Sequence, residues 1–386
     1  MADQNNINEQ GVPSGHIVGS GGGIGKRIII AGGGTGGHIF PAVAIANAIK
    51  KIAPGTEILF VGANGKMEME KVPQAGYEIK GLDIAGYNRS SLIKNIFLPF
   101  KIMKSFYQVS KIFKSFRPSA VIGVGGYSSF PVLRYAQTKG IPSFIHESNS
   151  FAGKSNIMLG KKATRVFTAT ENMQQFFPAG KIVVTGNPVR KSIVDGHVSK
   201  EEALNFFGLS KDKKVVLSIG GSLGAQSINE AIDKDIQLFE ESNLQLIWQT
   251  GKPYLQKAKE RVDGRAGVFV SDFITQMEYA YAAADIVISR SGAMAIAELC
   301  LVKKPVLFVP YPFAAEDHQT ANAKELVNRE AAIMISNNLA VKELVPAVVE
   351  LSKDEALRTR MENNISKLAI ANADVVIAKQ ILNSIG

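Results

Sequence analysis

RIIIAGGGTGGHIFPAVAIANAIKK, residues 27–51, runs from an apolar strand through a glycine loop into a helix. Ile28, Ile29 and Ile30 are β-branched and favour an extended chain. PAVAIANAIKK (41–51) has helical apolar spacing. The order returns at 215–232, VVLSIGGSLGAQSINEAI. Between and after these units lie further short apolar runs: 57–62, 120–126, 143–147, 165–170, 181–186, 244–251, 267–273, 285–292 and 305–311. Continuous apolar strands separated by helices predict parallel sheets covered on both faces. The restart after Asn187 and Pro188 predicts an α/β fold of two Rossmann-like, doubly wound domains.

The predicted divisions are a flexible tail over 1–24, a first domain over 25–189, a second over 190–365 and a last helix from 366. That helix, running to about 384, has no domain assigned by the sequence, and packing back on the first domain is one option. The 386 residues suffice for two cores, and 46% hydrophobic content excludes a disordered chain. A lone cysteine, Cys300, excludes a disulfide framework and fits a reducing compartment. No apolar run reaches the length of a bilayer span, and the tail does not read as a secretory signal.

Gly32, Gly34 and Gly37 match G-x-G-x-x-G, which offers backbone N–H groups and a helix N-terminus to an anion. A dinucleotide site also needs an acid at the end of the second strand, and Val61-Gly62 supplies none. A loop approaching a phosphate or sugar, or a turn that only packs, are the readings left. His38 follows the loop and titrates near neutrality. Gly220, Gly221, Ser222 and Gly224 form the second loop, suited to a diphosphate. Ser291 and Gly292 end a strand before a helix that carries Glu298, a candidate for vicinal ribose hydroxyls. Glu316, Asp317, His318, Gln319 and Asn322 suit sugar hydroxyls, and Asp317 is also placed to cap a helix starting at His318. No metal-ligand spacing and no D-x-D occur. The expectation is therefore no metal and no cofactor, with helix dipoles and backbone donors offsetting a diphosphate.

Charge is uneven. Residues 1–190 hold 22 Lys+Arg against 9 Asp+Glu, and 191–386 hold 22 against 25. No acid stands between Asp83 and Glu147. Inside that interval, 91–116 interleaves lysines with large apolar residues, and Pro99 is expected to divide it into two short helices. This predicts an anionic membrane surface as partner, through Leu92, Ile93, Ile96, Phe97 and Phe100 with Lys94, Lys101 and Lys104. Nucleic acid is not expected, since no nucleic-acid motif is present.

Taken in order, AGGGTGGHIFPAVAIA (31–46), GVGGYSSFP (123–131), HESNSFAGKSN (146–156), GNPVR (186–190), GGSLGAQSIN (220–229), DFITQM (272–277), SRSGAMAIAEL (289–299) and DHQTANA (317–323) resemble the MurG family of N-acetylglucosaminyltransferases. The resemblance covers the chain from about residue 27. It implies the glycosyltransferase-B fold, with UDP-GlcNAc in the cleft between the domains. It implies donor contacts at Thr35, Gly36, Gly37, Asn149, Arg190, Ser222, Ile274, Ala293, Met294, Ala295, Ile296, Ala297, Glu298, Gln319 and Asn322. Uracil would be read by backbone groups near Ile274, ribose by Glu298 and phosphate by Ser222. The acceptor pyrophosphate falls to Gly34, Gly125, Gly126 and Tyr127. The implied reaction is inverting transfer to the C4 hydroxyl of N-acetylmuramate in undecaprenyl-linked lipid I, giving lipid II. His38 is the first candidate base and Glu147 the second. A peripheral place on the cytoplasmic face of the cell membrane, and other cell-wall synthesis proteins as partners, complete the implication. A sugar-nucleotide epimerase of the same fold and an inert recruiting subunit are the competing readings.

Overall fold

The computed structural model describes residues 25–86, 98–221 and 223–386. In the first half, β1 (Arg27–Ala31), β2 (Glu57–Ala63), β3 (Glu78–Leu82), β4 (Ala120–Gly123), β5 (Ser143–Glu147), β6 (Arg165–Thr168) and β7 (Ile182–Val184) form one sheet. Its order is β3-β2-β1-β4-β5-β6-β7, and all pairings are parallel. In the second half, β8 (Lys214–Ile219), β9 (Leu244–Gln249), β10 (Val268–Ser271), β11 (Ile286–Ser289), β12 (Val306–Phe308) and β13 (Ile333–Met334) form another. Its order is β10-β9-β8-β11-β12-β13, again parallel throughout.

The apolar runs are continuous because both faces of each sheet are covered. Ile28 and Ile30 enter one core while Ile29 and Ala31 enter the core on the opposite face. Strands β3 and β13 were not expected. Both lie at sheet edges, and β3 (EIKGL) is half polar, with an exposed Lys80–Glu78 ion pair.

Strand order reverses between β1 and β4 and between β8 and β11. Connections leave such a point in opposite directions and open a crevice at the carboxyl ends of the strands. The loop 32–35 follows β1 and 124–128 follows β4. The loop 220–225 follows β8 and 290–292 follows β11. Thus both glycine loops lie at switch points.

One expectation needs correction, and others fall on residues outside those described. Leu98–Phe116 is one helix that includes Pro99, and residues 91–97, on the other side of the expected division, lie outside the described residues. Leu92, Ile93, Lys94, Ile96 and Phe97 lie outside the described residues, as does Ser222. The last helix does not start at 366. Glu355–Ser366 ends one helix, with Ile365 in the second domain's core, and residues 367–372 lead to Ala373–Asn383.

That last helix packs on helix Gly36–Ile52 of the first domain, with Ile377, Ala378, Ile381 and Leu382 in its core. Burying an isoleucine or leucine contributes about 1.5–3 kcal/mol, enough to fix the helix there. Lys26 Nζ adds a hydrogen bond to the Leu382 carbonyl at 3.3 Å. The chain therefore crosses between domains twice. The crossings touch where Gly186 (φ 77°) meets Ile370, and a Cβ on Gly186 would stand 2.7 Å from the Ile370 Cβ.

Candidate functional site

Helix Gly36–Ile52 begins directly after the first loop, so His38 sits in its opening turn. Its Nδ1 lies 2.9 Å from the Gly33 carbonyl and 3.5 Å from Thr35 Oγ1. A carbonyl only accepts, so Nδ1 carries the proton and Nε2 is the basic nitrogen. The ring packs on Gly125, where a Cβ would stand 2.6 Å from Nε2 at a φ of 102°. Gly126 packs equally closely on Gly33, and Gly33 N–H donates to the Gly125 carbonyl at 3.3 Å. The two loops are thus interlocked, and only glycine fits at the contacts. Burial lowers the His38 pKa below its usual value. The Gly33 carbonyl and the charges of Glu147 and Glu68 oppose this, while His318 of the facing domain adds to it. Tyr127 is half-buried beside these loops, and burial raises its pKa.

Glu68, absent from the sequence reading, is 1% exposed. Its Oε2 accepts the Gly34 N–H at 2.8 Å and its Oε1 the Ala63 N–H at 3.0 Å. Gly33 and Gly62 leave the space for it, since a Cβ on either would strike the Glu68 side chain. The first glycine loop therefore keeps a resident carboxylate on one of its donors. An exposed-looking glutamate in EMEKVPQ gave no signal of this, because only folding brings it under the loop.

Glu147 ends β5 at 4% exposure. Its Oε1 accepts from Asn149 N (3.1 Å) and Nδ2 (3.3 Å), and its Oε2 from Gly153 N (3.1 Å) and Asn156 Nδ2 (2.8 Å). Four donors fold the loop 148–153 around it. His146, buried on the same strand, is held down to about 4 by burial and stays neutral.

On the donor side, Arg190 lies on the first crossing and reaches both domains. Its guanidinium is 5.5 Å from the Phe40 ring centroid. Nε and Nη2 donate to Glu298 Oε1 and Oε2 at 2.8 and 3.0 Å. Tyr281 OH, another group the sequence reading missed, donates to Glu298 Oε2 at 2.9 Å. Burial raises the Glu298 pKa, opposed by Arg190 and Tyr281. Ala293, Met294, Ala295, Ile296 and Ala297 are half-buried in the opening turns of helix Ala293–Val302.

Ile274 is buried, and its N–H donates to Gln249 Oε1 at 3.2 Å. Gln249 Nε2 donates to the Gly221 carbonyl at 3.0 Å, so this unforeseen side chain ties the second glycine loop to Ile274. Gln319 Oε1 accepts from Tyr311 N at 2.9 Å. A helix does start at His318, but the Asp317 side chain accepts from Thr320 Oγ1 at 2.7 Å instead of capping a backbone N–H. Thr35, Gly36 and Gly37 line the first-domain side at the helix start. Asn149 and Asn322 face each other across the domains, Nδ2 of Asn322 lying 3.4 Å from Asn149 Oδ1.

Among the described residues no three His, Cys, Asp or Glu side chains gather as a metal site, and no helix is long and apolar enough to cross a membrane.

Two parallel-sheet domains, each with a glycine loop at its switch point, form the GT-B fold, and the family matches make the chain a glycosyltransferase. The glycosyltransferase family 28 N-terminal domain matches residues 28–168, and the family 28 C-terminal domain matches 215–381. The UDP-N-acetylglucosamine–N-acetylmuramyl-(pentapeptide) pyrophosphoryl-undecaprenol N-acetylglucosamine transferase of Parabacteroides distasonis is 51% identical over 345 residues, 89% of this chain and 94% of that one. The protein of the same name from Phocaeicola vulgatus is 50% identical, over 92% and 95%. The crystal structure of Acinetobacter baumannii MurG superposes with a TM-score of 0.75 at 29% identity, covering 93% of this chain and 99% of that one. A UDP-GlcNAc 2-epimerase from Neisseria meningitidis has a TM-score of 0.66 at 16% identity, over 93% and 100%, and shares the fold alone. The chain belongs to the MurG family of N-acetylglucosaminyltransferases.

Proposed function

We propose that this chain transfers N-acetylglucosamine from UDP-GlcNAc to the C4 hydroxyl of N-acetylmuramate on undecaprenyl-pyrophosphoryl-N-acetylmuramyl-pentapeptide, with inversion, forming the β(1→4) link of lipid II. The observation that carries the reading is His38. Its tautomer is set by Gly33, its Nε2 is basic, and it stands where the two first-domain loops meet the second domain. The acceptor hydroxyl attacks the anomeric carbon from the face opposite UDP, and His38 Nε2 takes its proton. Glu147 is the weaker candidate, because four donors already occupy its carboxylate. It orders the loop that carries Asn149. The interlocked loops take the acceptor pyrophosphate through Gly125, Gly126 and Tyr127, whereas the Gly34 N–H expected there is already held by Glu68. The second domain takes the donor: Ser222 and its loop hold phosphate, the Ile274 backbone is near uracil, Glu298 is at the ribose, and Gln319, Asn322 and Asn149 are at the sugar. The leaving diphosphate is stabilised by backbone donors and helix termini, without a metal.

The test is to follow radiolabel from UDP-GlcNAc into lipid, with and without a short-chain acceptor analogue, in the presence of chelator. Acceptor-dependent transfer that survives chelation supports the reading. Label retained in the nucleotide sugar, or found in an epimerised sugar, sinks it.

The acceptor's lipid places the reaction at a membrane, on the cytoplasmic face where UDP-GlcNAc is found. Helix Leu98–Phe116 supports this. Phe100, Met103 and Tyr107 are 69%, 70% and 61% exposed on one face of it. Lys101, Lys111 and Lys114 stand around them, whereas Lys104 is paired with Asp83 at 2.8 Å. Three exposed large apolar side chains beside lysines fit an anionic lipid surface. Replacing Phe100, Met103 and Tyr107 together with serine is expected to weaken binding to phosphatidylglycerol vesicles at least about ten-fold. Turnover of a water-soluble acceptor analogue should be unchanged. Equal loss of both would mean that the face is structural.

A further inference from the structure

Asn322 is 3% exposed, and its carboxamide is fully occupied. Oδ1 accepts from Ser150 N at 3.1 Å and from Ser150 Oγ at 3.0 Å. Nδ2 donates to the Ser291 carbonyl at 3.3 Å and to Asn149 Oδ1 at 3.4 Å. Two lone pairs and two N–H groups are the whole capacity of an amide side chain. Of these four bonds, three run to the first domain, and Ser291 alone belongs to the domain of Asn322. Two of the three groups assigned to the donor sugar, Asn322 and Asn149, are thus bound to one another, and Asn322 is also bound to Ser150.

Ser150 and Asn322 also line an interdomain cavity of about 230 Å³, together with Asn187 and Ala293. Asn187 is 6% exposed, and its Nδ2 donates to the Ser148 and Ala293 carbonyls at 3.1 and 3.3 Å. Two carbonyl acceptors fix the orientation of that amide. Its buried Oδ1 accepts no hydrogen bond among the described residues.

We propose that Ser150 clasps the donor-sugar subsite shut, so that Asn322 reaches the sugar only after its bonds to Ser150 and Asn149 open. This rests on the assignment of Asn322 to the donor sugar. Ser150 is then a positioning residue that sets nucleotide-sugar affinity: the free energy of opening the clasp is subtracted from the binding of UDP-GlcNAc. UDP, which has no sugar, binds without opening it. The same opening frees Asn149.

Calorimetric titration of the full chain with UDP-GlcNAc and with UDP tests this. Ser150→Ala removes the hydroxyl bond and keeps the backbone one. It is expected to tighten UDP-GlcNAc roughly two- to ten-fold, the worth of one such hydrogen bond, and to leave UDP unchanged. Unchanged UDP-GlcNAc affinity would mean that the clasp costs nothing. Weaker UDP-GlcNAc affinity would make Ser150 a sugar ligand. Either overturns the proposal. Asn322→Ala separates the underlying assignment. If that variant keeps the wild-type preference for UDP-GlcNAc over UDP, Asn322 does not read the sugar, and the clasp falls with it.

Discussion

His38→Ala is expected to lower kcat by about 10²–10⁴-fold, the usual contribution of a positioned general base, while UDP-GlcNAc affinity stays within a factor of a few. The ring is bound at Nδ1 to its own loop and packed on Gly125, so the deletion removes a proton acceptor without removing a donor contact. The pH profile adds a second readout. Burial depresses the His38 pKa, so the neutral, basic form persists below the pH at which an ordinary histidine becomes charged. The acid limb of kcat/KM should therefore lie below about pH 6.5, and it should vanish in the alanine variant together with most of the rate. Turnover within a few-fold of wild type in His38→Ala would exclude His38 as base and return the role to Glu147. Glutamine at position 38 keeps a donor for the Gly33 carbonyl but cannot take a proton at neutral pH. It should be as inactive as alanine, which separates basicity from loop positioning.

Glu298→Ala is expected to destabilise the protein by about 3 kcal/mol, read from the urea midpoint at unchanged slope. The carboxylate is 5% exposed and holds the Arg190 guanidinium by two bonds and the buried Tyr281 hydroxyl by a third. Removing it strands a cation and a phenol, and the loss of the partner exceeds the net worth of the pair. Arg190 is 28% exposed at its side chain, so water recovers part of its solvation and holds the cost at the lower end of the range for buried pairs. UDP binding should weaken at least about ten-fold as well, because Arg190 lies on the crossing between the domains and its orientation goes with the pair. Glu298→Gln should fall between, retaining one acceptor. Joint replacement of Arg190 and Glu298 by leucine should restore part of the stability but none of the UDP affinity. A cost under about 1 kcal/mol for Glu298→Ala would show that the pair contributes no more than a surface one.

The sequence by itself determined the two parallel sheets and the position of both glycine loops. RIIIA and VVLSI are each apolar at four of five positions without alternation, which only a strand covered on both faces requires, and a glycine loop between such a strand and a helix is a local signal. The helix start at His318 was legible from Asp317 before it, although that side chain turns to Thr320 and caps no backbone N–H. Of the edge strands, β3 was not legible, because polar residues interrupt it, and β13 was not, because it is only 2 residues long. The domain carrying the last helix was decided by tertiary packing, since Ile377, Ile381 and Leu382 would suit either core and burial beside helix Gly36–Ile52 settled it. Within the site, sequence could nominate His38, Glu147, Glu298 and Asn322 by residue type and neighbourhood. Only the fold put Glu68 beneath Gly34, Gln249 between the second loop and Ile274, Tyr281 on Glu298 and Ser150 on Asn322. These partners lie 17 to 172 residues apart along the chain, and a hydrogen bond between such positions leaves no periodicity or spacing for a sequence reading to find.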